Sequence, residues 1–328
     1  MYHPRLKGSH YEAGLKFGQM MKKNNVNPLK FMKQPKEQYL FGIECIKETE
    51  KYYPEVLEEM YGLADGLEED RNSIAAWLLC IYCYTKENWC TTIIMKDENE
   101  LLFARNSDFA IVVEKLIESA YYHLDECYSF IGNSTAMIQM EDGVNEHGLA
   151  IGLNFILPTI IKPGLNAGFL VRYILEKCKT VEEGIQALQQ LPISSAQIIT
   201  MVDANGNMAS VECNSIDLEI RRANEKEPFL VASNNFVTEK MKKYKVNVPD
   251  TIHSKERYDV AMKSLKENKY SVEYAKDLLA GKYGFMCQYN RKYGMDTVWS
   301  AIYDLKQKKN YIAPGNPSRI KFKEDTRL

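Results

Sequence analysis

The stretch Cys90-Thr-Thr-Ile-Ile-Met95, a polar turn over Lys96–Glu100 and the return Leu101-Leu-Phe-Ala-Arg-Asn-Ser-Asp-Phe109 read together as one β-hairpin. Short apolar runs bounded by turn residues carry that reading. The return strand brings Arg105 and Asp108 back toward Cys90, so a thiol, a guanidinium and a carboxylate share one sheet end. A neighbouring cation favours the thiolate, and a carboxylate can hold a nearby ammonium or water. A buried structural cysteine followed by an ordinary hairpin with a surface ion pair accounts for the same residues. The rest of the chain decides between the two.

On the N-terminal side, Ser9 to about Glu87 is helical in pattern, with apolar residues three and four apart. The spacing predicts helices over Tyr11–Lys22, Asn27–Leu40, Phe41–Tyr53, Pro54–Leu67 and Arg71–Tyr84. Beyond Cys90 the character switches to strands at Thr91–Met95, Leu101–Asn106, Ala136–Met140, Gly143–Asn145 and Ala150–Phe155. Helices follow at Gly168–Lys177 and Val181–Gln190. Two alternating runs, Ala196–Val202 and Met208–Cys213, are then joined by Asp203-Ala-Asn-Gly206, a hairpin signal. Strands at Asp217–Arg221 and in Pro228–Asn234 come next, then a lysine-rich surface loop at Lys240–Lys245. Helices Ser254–Glu267 and Val272–Ala280 and strands Thr297–Asp304 and Lys309–Ala313 complete the order. An all-α segment thus precedes an α+β unit in which two sheets lie between helices.

The 328 residues suffice for one large or two ordinary domains. Lys+Arg 42 against Asp+Glu 44 leaves a net charge of −2, without the basic footprint of a nucleic-acid binder. The opening Met1-Tyr-His-Pro-Arg-Leu-Lys7 has no apolar core, and no apolar run reaches the roughly 18 residues of a spanning helix. A soluble, cytoplasmic protein is expected, with no membrane partner. Eight scattered cysteines without a secretory leader read as reduced thiols. Cys80 and Cys83 make a C-x-x-C with no second ligand pair, and the five histidines lack ligand spacing, so no metal is expected. No Walker or Rossmann glycine pattern is present, which leaves no nucleotide cofactor indicated.

Polar residues stand at the ends of apolar strands: Asn154 closes Gly148–Phe155, and Asn234 closes Phe229–Asn234. Burying such a group unpaired costs on the order of 1–3 kcal/mol, so these side chains are candidates for a shared cleft. Their amides could donate to an oxyanion, or they could be turn-capping asparagines. Arg257, at the start of a predicted helix, could orient a nucleophile or simply lie on the surface.

These residues, in this order, resemble the cysteine N-terminal-nucleophile hydrolases, specifically the isopenicillin-N (6-aminopenicillanic acid) acyltransferase family and its relatives the choloylglycine hydrolases. Gly8-Ser-His-Tyr-Glu-Ala-Gly14 with Gly18, and Glu58-Glu-Met-Tyr-Gly-Leu-Ala-Asp-Gly66, resemble the family's two prosegment blocks. Cys90-Thr-Thr, Ala104-Arg-Asn-Ser-Asp-Phe109, Gly143-Val-Asn-Glu-His-Gly-Leu-Ala150 with Gly152-Leu-Asn-Phe155, Ala232-Ser-Asn-Asn-Phe236 and Ser254-Lys-Glu-Arg257 follow in family order. The resemblance implies a four-layer αββα sandwich over 90–328 behind a helical prosegment, 1–89. It implies Cys90 as nucleophile, Arg105 and Asp108 beside it, Asn154 and Asn234 as oxyanion and substrate-positioning asparagines, and Arg257 as a second active-site arginine.

A chain-terminal cysteine carries its own base, because an α-amine titrates near pH about 7.7–8. The implied activity is hydrolysis of linear amides of small N-acylated substrates through a Cys90 thioester, after autocatalytic cleavage at Trp89–Cys90. Acyl transfer from an acyl-CoA thioester is the alternative, and a binding module with an uncut prosegment is a further one. The chain departs from its best-known relatives at Trp89, where a small residue, often Gly, makes a sharply turned scissile peptide easier. The expected partner is a small amide or acyl substrate, with a homo-oligomer left open. Tyr121-Tyr122 and Phe285–Tyr293 are candidate linings of an acyl pocket.

Overall fold

The computed structural model describes residues 1–31, 34–84 and 88–328. Its strands in chain order are β1 (Arg5–Gly8), β2 (Asn88–Lys96), β3 (Leu101–Ala110), β4 (Glu118–Leu124), β5 (Phe130–Ser134), β6 (Asp142–Asn145), β7 (Ala150–Ile156), β8 (Ala196–Val202), β9 (Met208–Cys213), β10 (Leu218–Arg222), β11 (Phe229–Ala232), β12 (Met295–Asp304), β13 (Lys309–Ala313) and β14 (Lys323–Asp325). The α-helices are α1 (His10–Lys23), α2 (Pro28–Phe31), α3 (Lys36–Tyr52), α4 (Pro54–Leu67), α5 (Arg71–Cys80), α6 (Ala167–Lys177), α7 (Val181–Gln190), α8 (Glu239–Lys242), α9 (Ser254–Glu267) and α10 (Val272–Leu279). No helix among the described residues is long and apolar enough to cross a membrane.

Two sheets face each other, one ordered β1-β4-β5-β6-β7-β8-β9-β10 and the other β11-β2-β3-β12-β13-β14. The period-2 alternation of β2 and β3 sorts their side chains between two cores. Ile94, Leu101 and Phe103 point between the sheets, against Val144, Ala150 and Val202. Ile93, Met95, Leu102 and Ala104 point outward against Ala261 and Leu265 of α9 and Leu278 of α10. The outer face of the eight-stranded sheet, with Ile151, Leu153, Ile199 and Met201, is covered by Phe169 and Ile174 of α6 and Ile185 and Leu188 of α7, and its core runs on into α1 and α3–α5. Helix, sheet, sheet and helix therefore stack in the expected four-layer αββα order.

Local chemistry sets the element boundaries. Ser9 and Glu12 form a reciprocal capping box at the start of α1, and Pro54 occupies the first turn of α4. Asn166, Thr180 and Ser271 cap α6, α7 and α10 through their side chains. In the β8–β9 turn Asp203 Oδ1 accepts from the backbone N–H of Asn205 and Asn207 at 3.0 and 3.1 Å, and Gly206 takes φ +80°.

Several expectations need correction. Among the described residues, the expected all-α segment 1–89 also contains β1, which runs parallel to β4 with Leu6 opposite Tyr122, and the first two residues of β2. The expected break between Leu40 and Phe41 does not occur: α3 runs unbroken from Lys36, because the interruption falls at Pro35, and residues 32 and 33 of the expected Asn27–Leu40 helix lie outside the described residues. Ala136–Met140 is a turn rather than a strand. Met137 sits at φ 58° there, and the backbone ties to α6 through Met140 N–H to Gly168 O at 3.2 Å. The strands β4 and β5 were not anticipated, and the lysine-rich loop contains the short helix α8.

The two glycine blocks near the N-terminus form a backbone-to-backbone helix crossing. A Cβ on Gly14 would stand 2.0 Å from Glu59 O, and one on Gly62 would stand 2.1 Å from Tyr11 O. Gly18 and Gly66 are equally tight, 2.4 Å from Leu63 O and Leu15 O. In an open helix, Gly→Ala is stabilising by about 1 kcal/mol. Here the added methyl meets main chain that cannot move aside, so Gly62→Ala is expected to destabilise by about 1–3 kcal/mol in urea unfolding. An unchanged or raised midpoint would contradict the crossing.

Candidate active site

Every polar handle of Cys90 is engaged. Its fully buried side chain lies between the sheets, where Arg105 Nη2 donates to Sγ at 2.8 Å. The backbone N–H donates to Asn234 Oδ1 at 3.0 Å. The carbonyl oxygen accepts from Asn154 Nδ2 at 2.7 Å and from Arg257 Nη1 at 2.8 Å. All six residues singled out from the sequence, Cys90, Arg105, Asp108, Asn154, Asn234 and Arg257, thus gather around one sheet end. They arrive from β2, β3, β7, the end of β11 and α9.

The β2–β3 register explains the hairpin's share, with Cys90 opposite Ser107, Thr92 opposite Arg105 and Trp89 opposite Asp108. Alternation places Arg105 on the inter-sheet face with the thiol, while Asp108 turns to the helix side. There Asp108 Oδ1 accepts from Thr297 Oγ1 at 2.5 Å, and Oδ2 lies 3.6 Å from Arg257 Nη1 and 3.4 Å from the Tyr289 hydroxyl. The carboxylate and the thiol therefore flank the Cys90 backbone from opposite faces.

Arg105 is wholly buried and carries a dense set of acceptors, as a buried cation must. Nη1 donates to Asp142 Oδ2 at 2.7 Å and to the Ser107 hydroxyl. Nη2 and Nε donate to Leu153 O at 2.9 and 3.3 Å, and Glu141 Oε2 is 3.8 Å from Nη2. Gly152 makes the space: a Cβ there would stand 3.0 Å from Arg105 Cδ and 2.8 Å from Phe103 Cζ. Asp142 is in turn saturated by Trp299 Nε1 at 2.9 Å and by Tyr303 OH and Asn133 Nδ2 at 2.6 Å each.

Helix α9 delivers Arg257 from the other side. Asp250 caps its start, accepting from the N–H of Ser254 at 2.9 Å and of Lys255 at 2.8 Å. Ser254 Oγ takes the Asn234 N–H at 2.9 Å, which locks the end of β11 to the helix. One turn later the Arg257 guanidinium bridges Cys90 O, Thr91 Oγ1 at 2.5 Å and Asn234 Oδ1 at 3.0 Å.

Burial governs the electrostatics. It pushes the Cys90 thiol up to about 12, against the opposing pull of the Arg105 charge. Burial also raises Asp108 to about 6, with Arg257 resisting, and Glu141 to about 7, with Arg105 resisting. The thiol is thus held protonated. The asparagine amides are occupied too: Asn154 Nδ2 is on Cys90 O and, at 3.4 Å, on Ala232 O, and Asn234 Nδ2 donates to Phe155 O at 2.8 Å. Serving an oxyanion requires these donors to reorient.

Sequence reasoning missed Glu141, Asp142, Ser107, Thr297 and Ser254. The adjacent acids Glu141-Asp142, set immediately before Gly143 between apolar stretches, were the available signal. Of the aromatic candidates, Tyr289 reaches the site through its hydroxyl. Tyr122 does not, since it stacks on Phe130 at 4.8 Å in the core of the other sheet's outer face.

A family model described as acyl-coenzyme A:6-aminopenicillanic acid acyl-transferase matches residues 95–319. Comparison with curated proteins finds no match. Among solved structures, penicillin V acylase from Agrobacterium tumefaciens is similar with a TM-score of 0.50 at 17% identity, over 73% of this chain and 87% of that chain. A variant of conjugated bile acid hydrolase from Clostridium perfringens gives 0.49 at 13% identity, over 72% and 92%. An N-acylethanolamine-hydrolyzing acid amidase ortholog from Caenorhabditis elegans gives 0.47 at 16%, over 66% and 93%. The penicillin V acylase likeness supports the four-layer fold, and the family match spans the hairpin's return strand, both asparagines and Arg257. The chain belongs to the acyl-coenzyme A:6-aminopenicillanic acid acyl-transferase family.

Proposed function

We propose that Cys90 is the nucleophile of an amidohydrolase that opens linear amides of small N-acylated substrates, after self-cleavage between Trp89 and Cys90. The observation that carries the reading is the fixing of residue 90 at three points: sulfur by Arg105, nitrogen by Asn234, and carbonyl by Asn154 with Arg257. A merely structural cysteine needs none of these. Cleavage turns the nitrogen now on Asn234 Oδ1 into an α-amine next to its own thiol. The new 1–89 and 90–328 segments would be the small and large parts of the mature enzyme.

For self-cleavage the Cys90 thiolate adds to the Trp89 carbonyl carbon. The Trp89 C–Cys90 N bond then breaks as nitrogen takes a proton, leaving a thioester that water resolves to the Trp89 carboxylate. In turnover the α-amine takes the thiol proton and later gives it to the leaving nitrogen. Arg105 holds the sulfur and favours thiolate once water reaches it. Asp108, across the ladder from Trp89, faces the new ammonium from the helix side. Asn154 and Asn234 would supply oxyanion donors, and Arg257 would fix Asn234 and the Cys90 carbonyl. The scissile peptide lies within regular strand β2, and Trp89 is half-buried, which supports slow rather than strain-driven cleavage. With eight free thiols, a reducing compartment such as the cytoplasm suits the protein. The name of the matching family favours one second reading, acyl transfer from a coenzyme A thioester.

Intact mass with N-terminal sequencing tests the core of this reading. Wild type is expected to yield two fragments, the larger beginning at Cys90, and Cys90→Ala a single chain. A single chain in both would overturn self-cleavage and favour a binding module. In the cleaved protein, hydrolysis of a panel of N-acyl amides is expected to outrun thioester turnover with an amine acceptor, and the reverse result would favour the transferase reading. Asn234→Ala is expected to lower amide turnover about 10²–10³-fold in steady-state kinetics.

Asp108 gives a pH test in the uncut Cys90→Ala chain. Its folded carboxyl titrates near 6 and the unfolded one near 3.8, so between these values the unfolded state ionises first and stability falls as pH rises. Above about pH 6 the loss levels off, at up to about 3 kcal/mol. Adding Asp108→Asn is expected to remove that fall in urea unfolding at pH 4 and 7. An identical pH difference with and without the substitution would contradict the buried carboxyl.

A further inference from the structure

A second buried cluster lies away from Cys90, between α1, the loop after β4, and α6. His10 Nε2 is 3.1 Å from Glu176 Oε2, Cys127 Sγ is 3.7 Å from the same oxygen, and the donor atoms of all three lie within 4.8 Å of one another. The Tyr53 hydroxyl also bonds Oε2, so three donors converge on an oxygen with two lone pairs. The other oxygen, Oε1, is held by Arg172 Nε at 2.5 Å.

We propose that His10, Cys127 and Glu176 form a site for a thiophilic divalent cation, zinc being the fitting case. Zinc bonds of about 2.0–2.3 Å to N, O and S place the donors of one tetrahedron about 3.3–3.6 Å apart. The His10–Glu176 and Cys127–Glu176 separations bracket that range. Arg172 on the second carboxylate oxygen is the outer-shell contact that orients a ligating carboxylate. Cys127, the half-exposed member, gives the ion and a fourth-position water their way in.

The obvious objection is the cation at Arg172, but its guanidinium is already paired with Glu59 Oε2 at 2.6 Å as well as with Glu176 Oε1. A divalent metal with neutral imidazole, thiolate and carboxylate sums to zero, so the loaded site adds no net charge beside that pair. The protons that the ligands carry leave as the ion enters, and nothing is oxidised. His10 comes from residues 1–89 and the other two ligands from 90–328, so the ion would pin the two segments together whether or not the chain is cut.

The test uses full-length protein stripped with chelator and loaded with cobalt, then zinc. Expected are one cobalt per chain with thiolate-to-cobalt charge-transfer absorption, displacement by zinc, binding that weakens as pH falls, and a zinc-dependent rise in melting temperature. Cys127→Ser should lose the absorption band and His10→Gln the bound zinc, with metal-free melting curves for both variants showing that they fold. Wild type holding no stoichiometric metal would overturn the proposal. So would a cobalt–thiolate band that survives Cys127→Ser, because the ion would then sit on other cysteines.

Discussion

The structure turns on one buried cation. Arg105 projects from β3 across the gap between the sheets and is neutralised on the far side by Asp142 and the Leu153 carbonyl, which joins the two layers by charge at the point where the thiol lies. A buried ion stripped of its partner typically costs 3–5 kcal/mol or so. That explains why Asp142 is held by four donors and why β7 carries a glycine where the guanidinium passes. The same guanidinium that closes the sandwich touches the sulfur, so the cohesion of the two sheets and the surroundings of the thiol depend on one side chain.

Two faces of β2 divide the chemistry. The inter-sheet face holds the thiol with Arg105 and Glu141, all three fully buried. The helix face holds Asp108, Arg257 and Tyr289 around the backbone of the same residue. Only an alternating strand lets one residue meet both environments, its side chain in one and its main chain in the other.

Much of this was legible in the sequence. The hairpin, with Arg105 and Asp108 returning to Cys90, follows from period-2 patterning and a polar turn, and long amphipathic helices such as Pro54–Leu67 were read to the residue. Asn154 and Asn234 were found because polar residues at apolar strand ends need partners. What stayed hidden depends on tertiary placement. Met137 breaks an apolar run by adopting a left-handed backbone that residue type alone does not announce. Asp142 gains its meaning only once β6 lies beside β7. His10, Cys127 and Glu176 are separated by more than any ligand spacing that a sequence could display, and only the closing of α1 against α6 makes them neighbours.

The contacts at Cys90 also have a temporal meaning. The groups that grip it come from positions 105, 154, 234 and 257, and α9 must be capped and docked before the last of them arrives. A growing or misfolded chain owns the cysteine long before it owns that grip. Were the chain to cut itself at Trp89–Cys90, the cut would act as a checkpoint: the backbone would be severed only in molecules whose strands and final helices had already closed, and each new chain end would certify a finished fold.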